Sequence, residues 1–120
     1  MEFTPYSAIK TFIIPSQQVV LASIFKVKRY QKKGKQKVSV VDVFNTYLDI
    51  CKICDIEPIF KSNMMNALQI IEECGFIKLN KGLNSLQIDL GNYTFDEWEN
   101  ALYEFPYCEK FKNYVPSLGN

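Results

Sequence analysis

The sequence predicts an α+β fold in which a small helical bundle carries a short two-stranded hairpin. Three observations lead there. Helical hydrophobic periodicity recurs in separate segments before residue 75, two short extended segments follow, the second of them alternating, and a capping signal near residue 94 opens a last helix. Apolar residues make up 48% of the 120 and aromatics 14%, enough to build one domain around its own core.

Pro15-Ser16 reads as a helix start, proline ahead of a hydroxyl cap, with the helix expected from Gln17 to Tyr30. Val20, Ile24 and Val27 share one face, widened by Leu21 and Phe25. The polar loop Gln31-Lys32-Lys33-Gly34-Lys35 ends it, with a glycine able to take positive φ. Lys37 to Ser39 is short and extended, and Ser39 with Asp42 imitates a capping box. Val40, Val43, Phe44, Tyr47, Leu48, Cys51 and Cys54 then fall at offsets 0, 3, 4, 7, 8, 11 and 14, one continuous buried stripe on a second helix. Pro58 forbids its continuation, so the chain turns between Asp55 and Ile59.

A third helix is expected from Ser62 to Cys74, with Gly75 as its left-handed cap. Met64, Ala67, Leu68 and Ile71 face inward, and Ser62, Asn66, Gln69 and Glu73 form the opposite stripe beside Lys61 and Asn63. Strands are expected over Phe76–Asn80 and Ser85–Leu90, joined by Lys81-Gly82-Leu83-Asn84. Thr94 with Glu97 is a capping box for a last helix, Phe95 to Glu104, which Pro106 ends. The tail beyond it holds Tyr107, Phe111 and Tyr114, too aromatic for a free linker, and is expected to pack on the body or on a partner. The expected division is residues 1–12 as a linker or cloning remnant, 13–104 as the domain, and 105–120 as the packed tail.

Helix, short strand, helix, helix, hairpin is the order of a winged helix, a helix-turn-helix variant with a β wing. Here it is extended by a C-terminal helix and the aromatic tail.

Several functions are set aside by what the sequence lacks. Histidine is absent, which removes Ser-His and Cys-His catalysis and imidazole zinc sites. Gly34, Gly75, Gly82, Gly91 and Gly119 are the only glycines, and none pair as a phosphate-cradling loop. No enzyme, cofactor or metal is therefore expected. The longest apolar run, Val19–Phe25, falls far short of the roughly 18 residues of a membrane span, and the N-terminal residues lack the pattern of a secretory signal. Cys51 and Cys54 form a C-x-x-C pair inside a helical pattern, with Cys74 and Cys108 distant. They are expected to pack as small apolar groups in a reducing compartment.

Charge is polarised. Residues 1–39 carry eight Lys/Arg against one Glu, while residues 40–120 carry six against twelve acids, and seven of the cations lie between Lys26 and Lys37. The expectation is one cationic loop on a mildly acidic body.

The segments Ile14–Ile24, Val38–Tyr47, Cys51 with Ile53-Cys54, and Glu72–Ile77 together resemble the C-terminal winged helix of the origin-licensing AAA+ ATPases. Asp96-Glu97 and Ala101-Leu102 are similar to that domain's closing helix, and the tail from Ala101 to Gly119 is most similar to the cell division control protein six branch. The likeness covers about residues 13 to 118, largely core positions. It implies a nuclear role in replication licensing, with contacts to origin double-stranded DNA, to the origin recognition complex and to subunits of the minichromosome-maintenance helicase. It also implies an ATP-binding module that has no counterpart in these residues.

A winged helix lays its third helix in the major groove and its wing along the backbone. The candidate DNA contacts are therefore Lys61, Ser62, Asn63, Asn66 and Gln69 on that helix, Lys78 and Lys81 on the wing, and Lys32, Lys33, Lys35 and Lys37 on the basic loop. Asn and Gln can read adenine, but the helix has one lysine and ends in Glu72-Glu73. Weak binding is expected from that surface alone. Two alternatives stand beside it: a purely protein-interacting winged helix, and a stand-alone transcription regulator disfavoured by the absence of arginine on the reading helix.

Overall fold

A computed structural model of the protein describes residues 4–118. Its elements run α1 (Pro5–Phe12), α2 (Pro15–Tyr30), β1 (Val38–Ser39), α3 (Val40–Cys54), α4 (Lys61–Glu73), β2 (Ile77–Leu79), β3 (Ser85–Ile88), α5 (Phe95–Tyr103) and α6 (Pro106–Glu109).

The hub is α2. Every residue from Gln18 to Val27 is buried, a wider apolar surface than the single face its periodicity suggests. The reason is its position: α3, α4, α5, α6 and β1 all pack against it, so the helix has no solvent side along its middle turns. Its start also differs from expectation. Pro15 is itself the first helical residue, Ile14 is the cap, and Ser16 lies inside the helix with no side-chain cap.

The helix over Val40–Cys54 begins where Ser39 accepts a hydrogen bond from the Asp42 N–H. Val43, Tyr47 and Cys51 of the expected stripe are buried, joined by Thr46 and Ile50. Asp55 adopts a left-handed conformation to end it, and the Tyr47 hydroxyl accepts from the Ile59 N–H at 3.2 Å, fixing the turn into α4. That helix buries Met64, Ala67, Leu68 and Ile71 as its spacing predicts, and Gly75 follows at φ +90°.

The hairpin is shorter than its alternation implies, and its sheet gains a third strand. The order is β1-β3-β2, all antiparallel, with Val38 opposite Leu86 and Leu79 opposite Leu86 from the other side. The Glu72 carboxylate accepts from the Leu79 N–H at 2.6 Å and ties α4 to the sheet edge. Leu83 takes a left-handed conformation in the wing tip.

Segments near both ends of the described residues fold onto the body, the first of them against expectation. Within residues 1–12, expected as linker, Pro5–Phe12 form α1, opened by a reciprocal Thr4–Ser7 capping box and anchored by fully buried Ile9; residues 1–3 lie outside the described residues. At the other end Pro106 ends α5 but also begins α6. Phe105, Cys108 and Phe111 enter the core, Tyr6 stacks on Phe105 at 4.7 Å, and Tyr114 donates to Asp49 Oδ2 at 2.7 Å.

Candidate nucleic-acid interface

The basic segment divides into three groups. Lys26 is 1% exposed; its ammonium donates to the carbonyls of Lys112 and Tyr114 and lies 5.2 Å from the Tyr103 ring. Burial lowers its pKa, with the nearby Glu99 opposing. Arg29 pairs with Asp96 and with Glu99, 2.6 Å from Oε1, and its guanidinium lies over Phe95. The Glu99 hydrogen bond raises its pKa further. The seven-cation loop inferred from sequence thus loses two members to the fold, because carboxylates and carbonyls far along the chain claim them.

Lys28 plays a third part. Its ammonium and the Gln31 amide both donate to the Lys35 carbonyl, at 2.8 and 2.9 Å, while the Lys35 N–H reaches the Lys32 carbonyl and Gly34 supplies φ +95°. The end of α2 therefore pins the following loop. Lys32, Lys33, Lys35 and Lys37 remain exposed on it. Lys35, Gln36 and Lys37 line an open hollow of about 740 Å³ with Ser39, Val41, Asn84 and Ser85, so the loop and the base of the wing form one surface.

On α4 the residues Lys61, Ser62, Asn63, Asn66 and Gln69 are all exposed, but they do not point one way. Ser62, Asn66 and Gln69 recur with Glu73 opposite the buried stripe. Asn63 turns aside and, with Asn66 and Ile70, lines a crevice of about 290 Å³ against Ser16, Gln17, Val20, Tyr47 and Ile59. Phe60, the cap residue ahead of α4, is 79% exposed. The outer face of α4 is thus polar, carries a carboxylate at its C-terminal end, and borders an apolar crevice.

Lys78 projects from β2 opposite Gln87, and Lys81 is exposed in the wing tip. Gln36, Asn84 and Gln87 share this surface with the lysines and were not singled out from the sequence. Gln87 carried a signal, the polar side of the alternating segment, but its neighbours depend on strand pairing.

Cys51, Cys54, Cys74 and Cys108 are free thiols, and burial raises the pKa of each, which favours the protonated form. Among the described residues no group of acidic or thiol side chains is placed to hold a metal ion, and no helix is long and apolar enough to cross a membrane.

Three helices in helix-turn-helix order, a three-stranded antiparallel sheet and a hairpin projecting beside α4 define a winged helix. Residues 13–90 match the family model described as CDC6, C terminal winged helix domain, and the chain belongs to that family. No curated protein and no solved structure matches it.

Proposed function

We propose that this domain is a non-catalytic module of a nuclear replication licensing factor that contacts origin DNA weakly and docks on origin recognition complex or minichromosome-maintenance helicase subunits during helicase loading. Family membership supports the licensing context. The observation that carries the DNA reading is the pinned loop: four exposed lysines beside the wing, on a segment whose Lys35 carbonyl accepts from both Lys28 and Gln31. A loop already ordered loses little entropy on meeting a phosphate backbone, and each phosphate neutralised adds about 0.9 to the salt slope of binding. Cations on α4 and the wing are few, which fits an affinity of about micromolar or weaker, effective when a larger assembly holds the domain on the duplex.

Salt-titrated binding to a labelled duplex tests this. The protein should bind with a steep slope, and replacing Lys32, Lys33, Lys35 and Lys37 with alanine should abolish most of it. Binding indifferent to those four changes would refute the loop's role.

A second reading, docking on a protein, is favoured by exposed Phe60 and the apolar crevice beside α4.

A further inference from the structure

The strand register places a cationic row on the exposed face of the sheet. Continuing the β1–β3 pairing by one residue sets Lys37 opposite Gln87, and Gln87 is opposite Lys78. Side chains alternate across a strand: Val38, Leu86 and Ile77 are buried beneath the sheet, while Lys37, Gln87 and Lys78 are exposed above it. The adjoining row on the same face is Ser39, Ser85 and Asn80, since Ser39 is opposite Ser85 and the Asn80 N–H donates to the Ser85 carbonyl.

These six positions contain two lysines, four neutral polar groups, no carboxylate and no aromatic ring. The hollow of Lys35, Gln36 and Asn84 continues the face at its β1 end. Ser39 Oγ is engaged in capping α3 and Ser85 Oγ accepts from the Asn80 amide, so the groups best placed to meet an incoming anion are Lys37, Lys78 and Gln87.

We infer that this outward sheet face, rather than the exposed stripe of α4, is the platform on which the domain holds a DNA duplex by its phosphates. The inference rests on the DNA-contacting reading above and deepens it by naming the surface and the form of nucleic acid. Lys37 and Lys78 stand two strand spacings apart, about 10 Å between backbones, and their flexible stems let both ammoniums engage phosphates of one strand. The rings beside this face are not free to stack: Phe95 shares a hollow with Gln36 and Gln87 but packs against Phe25 and beneath the Arg29 guanidinium, and Phe76, just ahead of β2, is buried. Unpaired bases are held by stacking platforms, so the face favours the duplex. Asp89 borders the face, sharing a hollow with Lys78 and Gln87, but Lys37 and Lys78 outnumber it, whereas the α4 stripe sets Glu73 against an approaching backbone with Lys61 alone beside it.

The experiment is a salt titration of duplex binding with three forms of the full chain: unchanged, Lys37→Ala with Lys78→Ala, and Ser62→Ala with Gln69→Ala, each checked for folding by circular dichroism. The lysine pair should lower the salt slope by about 2, and the α4 pair should leave it unchanged. Lys37→Arg with Lys78→Arg should retain the original slope. If the unchanged protein binds no duplex, the DNA reading itself fails and this inference with it. If it binds and only the α4 pair weakens it, the DNA reading stands and the sheet face is wrong. Tighter binding to a single strand than to the duplex, or equal capture of polyglutamate lost with the same lysine pair, would likewise overturn the assignment.

Discussion

The ammonium of Lys26 lies 2.6 Å from the carbonyl oxygen of Tyr114, 88 residues further along the chain. It also meets the Lys112 carbonyl at 2.9 Å, so one buried charge on α2 clasps the C-terminal segment. The Tyr114 hydroxyl completes the clasp by donating to Asp49 on α3.

Lys26→Met keeps the apolar stem and removes the donor. Hydrogen bonds to a charged group contribute about 1.5–3 kcal/mol, and the loss should appear as a lower urea midpoint together with faster proteolysis after residue 109. A variant as stable and as protease-resistant as the parent would show that the clasp contributes nothing.

Alkaline pH should loosen the same region. Burial pushes the Cys108 thiol from 9.0 up to about 12, and burial followed by the Asp49 hydrogen bond pushes the Tyr114 phenol from 10.0 up to about 12. Between about pH 9 and 12 the unfolded chain has released protons that the folded chain retains, so stability falls as pH rises through that window. Lys26 acts the other way: its lowered pKa means the unfolded chain binds the extra proton, which adds stability as pH rises. The raised acids outnumber it, and urea midpoints should drop between pH 7.5 and 10.5, less so in Cys108→Ala. A midpoint that holds or climbs would contradict the balance.

Leu68 is fully buried on α4, the helix that packs against α2 and β2. Leu68→Ala should cost about 2–5 kcal/mol through lost contacts and a residual cavity, read from chemical denaturation. A negligible change would mean that α4 is rotated from the orientation described.

Glycine substitutions separate backbone strain from crowding. Gly75→Ala meets no atom within 4 Å but inherits φ +90°, and should lose about 1 kcal/mol. Gly82→Ala, whose added carbon would sit 3.6 Å from the Asn84 side chain with no positive φ, should be close to neutral. Thermal melting of the pair checks both, and equal losses would remove the conformational explanation.

What the sequence disclosed follows from how local each cause is. The faces of α3 and α4, the Thr94–Glu97 capping box and the left-handed Gly75 depend on neighbours within a few residues, and all were legible. Ile9 was not: α1 carries serine where a capping box usually has Glu or Gln, and its buried positions Pro5 and Ile9 repeat only once within eight residues. Lys26 and Arg29 sit in a basic run that reads as solvated, and only the tertiary fold brings Tyr114, Asp96 and Glu99 to them. The candidate lysines of the loop and wing were visible as charges, but the row Lys37–Gln87–Lys78 needed the register of three strands.

A helix enclosed along its middle turns ties most of the fold to one element. With α3, α4, α5, α6 and β1 all leaning on α2, its central amides can meet deuterium only when the whole molecule opens. Opening that axle would expose the core on every side of it at once.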